Sequence, residues 1–159
     1  MSRVGRPAST PPPWSMALAR ILTGWIFVQY GWFSKLQEPK FVQGMEATLT
    51  RMAEHSAFGF YRVFLSAWAV PHATLFAYLI GWGETLLGVA LVLGAFSNPA
   101  SLLGIFMTLN FYLASRSWDA LLFAVWCFAF LHVSAGSRWG LDPILASVLP
   151  ARVVYFPRR

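Results

Sequence analysis

Charge is what this sequence is short of: 11% of its 159 residues are Asp, Glu, Lys or Arg, against about 25% in soluble domains. A water-soluble globular domain needs a polar shell, so that class is excluded and the chain is placed in a membrane. Cysteine is almost absent as well. The single one, Cys127, lies in an apolar run, which rules out an intrachain disulfide, a CxxC redox pair and a cysteine-based zinc or iron–sulfur site in this chain. Of three histidines only His132 falls in an apolar segment, whereas His55 and His72 fall in a polar connection. Haem ligated by two helical histidines needs a second one at depth, so no b-type haem is held by this chain alone. No glycine-rich turn follows a strand either: Gly81-Trp82-Gly83 sits inside a helical run, leaving no flavin or nicotinamide nucleotide motif. No metal site is expected.

What is present is apolar and aromatic. Hydrophobic residues make up 57% and aromatics 17%, with eight Trp and fourteen Phe, at a mean hydropathy of +0.56. Four apolar segments stand out, over about 14–33, 73–96, 100–114 and 118–135; helices of about 17–25 residues span the hydrocarbon layer. The fold expected is all-α, an integral membrane four-helix antiparallel bundle occupying 14–146. Residues 1–13, rich in Arg, Ser, Thr and Pro, read as a disordered arm. No small-x-small cleavage site follows the first segment, which is therefore read as a retained helix. Residues 147–159 form a basic tail. Ser97-Asn98-Pro99 and Ser115-Arg116-Ser117 are expected to be tight turns, and short turns make antiparallel neighbours. Trp14, Trp32, Trp118 and Trp139 fall at segment ends and fit interfacial belts; Trp25, Trp82 and Trp126 lie deeper, where core packing is preferred to flanking a quinone.

The connection over 35–72 is too polar to span. Phe41, Met45, Leu49 and Met52 recur at helical spacing in it, which predicts an amphipathic helix on the bilayer surface. An aromatic stretch from Phe58 to Trp68 follows, with Pro71 expected to end it. Twelve Lys and Arg against six Asp and Glu give a net charge of +6. The positive charge flanks apolar segments, so membrane orientation and anionic headgroups explain it, not nucleic acid. Arg3, Arg6, Arg138, Arg152, Arg158 and Arg159 gather on the side of the termini, which assigns the termini to the cytoplasm and the long loop to the outside.

Ionisable groups at depth carry the functional signal, because burying one costs at least a few kcal/mol (about 2.5–3.5 at a helix centre). Gly81, Glu84 and Gly88 share one helix face, and the glycines admit a neighbouring helix, so Glu84 is expected to point inward. In the first segment Arg20, Gly24, Phe27, Gly31 and Lys35 form a similar stripe. Arg20 has two open readings, snorkelling to the inner rim or pairing with Glu84 or a ligand. At 1.5 Å per residue Glu84 and Asn110 both come out about 15 Å from a rim, so the two either share a hydrogen-bond network or Asn110 simply joins helices. His132 reads as hydrogen-bonded packing. The loop cations Lys35, Lys40, Arg51 and Arg62 are either a solvated basic face or a collector for a small anion.

Taken in order, several stretches resemble the DoxX/DoxD family of four-helix membrane proteins. They are Arg20-Ile21-Leu22-Thr23-Gly24-Trp25 with Gly31 to Lys35, then Phe76 to Glu84, Val89 to Phe96, Leu109-Asn110-Phe111-Tyr112, and Ser137-Arg138-Trp139-Gly140-Leu141-Asp142. The likeness is nearest to the DoxD-type small subunits of thiosulfate:quinone oxidoreductase. It implies membrane redox work in which thiosulfate is oxidised to tetrathionate with quinone as acceptor. Arg20, Lys35, Glu84, Asn110 and Asp142 match positions characteristic of the family. Because the chain carries no redox cofactor motif, a partner subunit or a homo-oligomer is expected.

The function expected is thus a membrane subunit of a quinone-linked oxidoreductase in the cell membrane. Quinone would bind near Arg20, Glu84 and Asn110, with Glu84 relaying protons. A small sulfur anion would approach Lys35, Lys40, Arg51 and Arg62. The rival expectation is a non-enzymatic anchor or assembly subunit braced internally by Glu84 and Arg20.

Overall fold

A computed structural model describes residues 13–156. The arm expected over 1–13 lies outside the described residues except for Pro13, and the basic tail is described only as far as 156. Among the described residues every regular element is a helix and none is a strand. Helix α1 (Trp14–Val28) runs into a π-helical stretch, Gln29–Leu36. Three short helices follow, α2 (Pro39–Gln43), α3 (Met45–His55) and α4 (Gly59–Phe64). A second π-helical stretch (Leu65–Ala69) and a 3-10 turn (Val70–His72) join α4 to α5 (Ala73–Leu93). Then come α6 (Ser97–Ser115), α7 (Trp118–Val133), α8 (Asp142–Val148) and α9 (Ala151–Val154).

Pro71 was expected to end a segment, and it does not. Gly59–Leu93 is one helical stretch of 35 residues. Proline lacks an N–H and its ring crowds the carbonyl of the preceding turn; the chain accommodates it by changing helix type around Val70–His72 instead of stopping. This stretch is also the one among the described residues that is both long and apolar enough to cross a membrane; α7 is apolar but shorter.

The turn expected at Ser97-Asn98-Pro99 is displaced toward the N-terminus. Gly94 takes φ 63°, its N–H donates to Leu91 O at 3.2 Å, and the Ala95 N–H donates to Ala90 O at 3.0 Å. That pair of bonds closes α5 around a left-handed glycine. Ser97 then opens α6, with Pro99 in its first turn, where a missing N–H costs no helix bond. At the far end Arg116 turns left-handed to stop α6, and the Ser117 hydroxyl accepts from the Ala120 N–H at 3.4 Å to start α7.

Helix α1 lies along α5, α5 beside α6, α6 against α7, and α7 returns to α1; α3 packs across α5 and α6. Glycines set the α1–α5 spacing. A Cβ on Gly88 would lie 2.6 Å from both Gly24 O and Val28 N, and one on Gly31 would lie 2.5 Å from Thr85 N. Those neighbours are backbone atoms and cannot rotate away, so Gly88→Ala has to push the two helices apart. Such overpacking costs about 1–3 kcal/mol. Cys127, the sole cysteine, is buried, so a thiol-reactive fluorophore followed during heating reads this loss directly as a lower unfolding temperature.

Phe27, Leu87, Leu91, Met107, Cys127 and Phe130 form one core, and Met45, Leu49, Tyr61, Leu65, Ala77 and Ala114 form a second beneath α3. Trp25, Trp82 and Trp126, expected in the core, are about half exposed. The interhelical space is taken by glycine contacts and by Leu and Met, leaving no room for indoles. They join an outward belt in which Leu79, Leu86, Phe106, Leu122 and Phe128 are also exposed. An apolar outer surface of this extent marks contact with something other than water.

Candidate functional site

Lys35 and Glu84 meet between α1 and α5. The π-helical stretch carrying Lys35 is wound more widely than an α-helix, and the Ser34 hydroxyl donates to Gln29 O, five residues back, at 3.0 Å. Gly31 lets this stretch sit directly on Gly81 and Thr85. That close approach brings Lys35 Nζ onto Glu84 Oε2 as an ion pair, with the Glu84 side chain 4% exposed and Lys35 19% exposed. The ammonium is ringed by aromatic faces, with its nitrogen 5.5 Å from the centre of Tyr30 and 5.9 Å from those of Phe41 and Phe111. A desolvated cation gains from such faces.

A second polar pair sits between α4 and α6. The Tyr61 hydroxyl donates to Asn110 Oδ1 at 2.9 Å, and Asn110 Nδ2 donates to Phe106 O at 2.7 Å. Lys35, Tyr61 and Asn110 all line one cavity of about 660 Å³, roofed by Phe41, Met45 and Leu49 from the short helices. The remaining lining is almost wholly apolar and comes mostly from α5 and α6, with further residues from α3, α4 and the π-helical stretch after α4. A concave apolar site with a few convergent polar groups is the usual form of a small-molecule site.

The expected site residues therefore divide. Glu84 and Asn110 do not share a hydrogen bond: Glu84 is bonded to Lys35 and Asn110 to Tyr61. Glu84 stands behind Lys35 and is not itself a wall of the cavity. Arg20 reaches neither. It is wholly buried near the middle of α1, well before the π-helical stretch, and its guanidinium donates to Leu91 O and to Trp139 O (3.0 Å), the latter beyond α7. Its long side chain bends toward the carbonyls at the end of α5, Leu91 O among them, so in this arrangement it stands away from Glu84 and does not snorkel to a rim. Asp142 is buried nearby and accepts from the Ser97 N–H at 3.2 Å. Burial pushes its carboxyl above the usual range, against the lowering effect of the Ser97 bonds and of the Arg20 charge.

The four loop cations are not gathered. Lys35 is committed to Glu84, which removes it from any surface anion cluster. Lys40 is exposed on α2. Arg51 is exposed on α3 beside Glu46 and Glu54. Arg62 donates from Nε to Ser56 O at 2.7 Å. His132, expected as hydrogen-bonded packing, is exposed and stacks on Phe128. Among the described residues no group of three His, Cys, Asp or Glu could hold a metal ion.

Tyr61 was missed as a site residue. Tyr61, Leu65 and Ala69 are a buried stripe at four-residue spacing, and a tyrosine on such a stripe needs a partner for its hydroxyl. That four-residue spacing is present in the sequence, starting within the aromatic stretch from Phe58 to Trp68.

No curated protein and no solved structure matches the chain. The sequence profile of the DoxX family matches residues 15–116, a stretch that holds Arg20, Lys35, Tyr61, Glu84 and Asn110 and stops before α7 and Asp142. A match over most of the chain identifies this protein as a member of the DoxX family of membrane proteins.

Proposed function

We propose that this chain is an integral membrane subunit of a quinone-linked oxidoreductase, with α1, α5, α6 and α7 as four antiparallel spans, termini in the cytoplasm and α2–α3 as an outer cap. The observation that carries the reading is the apolar cavity with Lys35 in its wall and the carboxylate of Glu84 bonded behind that lysine. A quinone head is flat, lipid-soluble and in need of two protons on reduction. Lys35 faces the cavity and Glu84 stands behind it, so a proton leaving the ammonium for a reduced ring is restored through the carboxyl. The cap side gives this pair its water, through the partly exposed Lys35.

The donor in this reading is thiosulfate, or a related sulfur anion, oxidised outside the cavity with the help of a partner subunit. Two thiosulfates join through a new sulfur–sulfur bond to form tetrathionate and release two electrons; quinone takes those electrons and two protons to become quinol. Lys40 and Arg51 on the cap, with Arg62 on α4, are the cations left to attract the anion. A second reading, an anchor without redox work, draws on the Lys35–Glu84 bond as a brace between α1 and α5.

Membranes containing the chain and its co-purifying subunits are given thiosulfate and a short-tailed quinone, and quinol is followed by its absorbance. The oxidoreductase reading expects thiosulfate-dependent quinol formation, together with quinone in solvent extracts of the purified protein. Neither quinol nor bound quinone leaves the anchor reading in its place.

A further inference from the structure

The cavity has two polar stations on different walls, and their hydrogen-bond bookkeeping specifies the ligand more narrowly than its shape does. At the first, the Lys35 ammonium has three N–H groups and no lone pair. One is taken by Glu84, and around the rest lie aromatic faces, which accept only weakly. At the second, the orientation of the Asn110 amide is fixed by its neighbours. Phe106 O can only accept, so Nδ2 must face it; Oδ1 then faces Tyr61, whose hydroxyl must donate. The Tyr61 proton is spent. Asn110 keeps one N–H with no partner among the described residues.

Both stations therefore offer a donor, one from the α1 side and one from α6. The walls between them mix aliphatic side chains with rings and thioethers, among the latter Tyr61, Phe64, Trp82, Phe106, Phe111 and Met107. On the α5–α6 side the lining includes Leu79, Trp82, Leu86 and Phe106, which are also exposed to the outside. An apolar tail can leave there toward lipid. A lipid acyl chain alone would fill the volume but accept from neither donor, whereas a ring with an acceptor at each edge gains about 0.5–1.5 kcal/mol per hydrogen bond.

We infer that the cavity takes a flat, tailed ring bearing two hydrogen-bond acceptors on opposite edges, held at one edge by Lys35 and at the other by Asn110, with Tyr61 fixing the asparagine. This rests on the proposed use of the cavity as a ligand site and deepens it. A ring with a single acceptor satisfies one station only. Asn110 is the residue that distinguishes the two ligands, and Tyr61 is a positioning residue.

The test uses the purified full chain in detergent. A short-tailed 1,4-naphthoquinone is titrated by quenching of tryptophan fluorescence, and a ring with the same tail but one carbonyl is measured as its competitor. The wild type should bind the one-carbonyl ring about tenfold more weakly, the worth of one hydrogen bond. Asn110→Leu should weaken the naphthoquinone by about the same factor and leave the one-carbonyl ring unchanged. Tyr61→Phe should fall between wild type and Asn110→Leu. Equal affinity of the wild type for both rings would overturn two-point anchoring while leaving the cavity a ligand site, and it needs no variant to fold. Saturable binding of neither ring would overturn the ligand-site reading itself.

Discussion

Glu84→Gln lowers quinone reduction by about 10²–10⁴-fold, the span a positioned proton donor contributes, and leaves the protein folded. The two halves of that expectation come from different properties of one side chain. Gln keeps an oxygen where Glu84 Oε2 accepts from Lys35, so the link between α1 and α5 survives as a neutral acceptor. It cannot take a proton and give it up again, so Lys35 is left without a carboxyl to restore what it donates. Quinol formation in membranes measures the first half, and the thiol-dye unfolding temperature at Cys127 measures the second. If the rate is unchanged, Glu84 is a brace and the relay is wrong.

Lys35→Met has the opposite profile, with stability as the first casualty. It removes the cation bonded to a carboxylate that is 4% exposed. Breaking a buried pair from one side costs about 3–5 kcal/mol, because the remaining charge keeps its desolvation penalty and loses its compensation. The lower end, about 3 kcal/mol, is expected here because the Lys35 side chain is 19% exposed and part of its charge is already met by water. Methionine fills a similar volume among Tyr30, Phe41 and Phe111, so lost packing contributes little. The unfolding temperature of the detergent-solubilised protein should fall well below that of Glu84→Gln. A Lys35→Met protein as stable as wild type would mean that the pair carries no energy.

Much of the inward face could be read from spacing alone. Arg20, Gly24, Phe27 and Gly31 recur every three or four residues and are buried along their length, as are Gly81, Glu84 and Gly88. Glycines on facing stripes imply close helices, and the backbone contacts of Gly24, Gly31 and Gly88 are of that kind. What spacing could not supply was the partner of Glu84. Lys35 fell both on the stripe of Arg20 and among the loop cations, and nothing at its segment end marks a π-helical register, which departs from the 3.6-residue period on which such readings rest. Pairing with Glu84 was one of two open readings for Arg20, yet 15 residues separate Arg20 from Lys35, about 22 Å along an α-helix. The helix through Pro71 and the start of α6 at Ser97 went unread for a local reason. A proline in a first turn, or beside a change of helix type, leaves the same mark in a sequence as a proline in a loop. The outward Trp25, Trp82 and Trp126 were misjudged because depth along a segment says nothing about which way a ring points.

The most direct test of the account is a double-mutant cycle across the pair, with Lys35→Met, Glu84→Leu and the two combined, each followed by unfolding in detergent. If the two side chains hold each other inside the protein, the combined variant is more stable than the simple sum of the single losses by at least about 1.5 kcal/mol, since neither charge is then left stranded. Losses that add within about 0.5 kcal/mol would mean that Lys35 and Glu84 do not meet, and the proton route and the first ligand anchor would go with them.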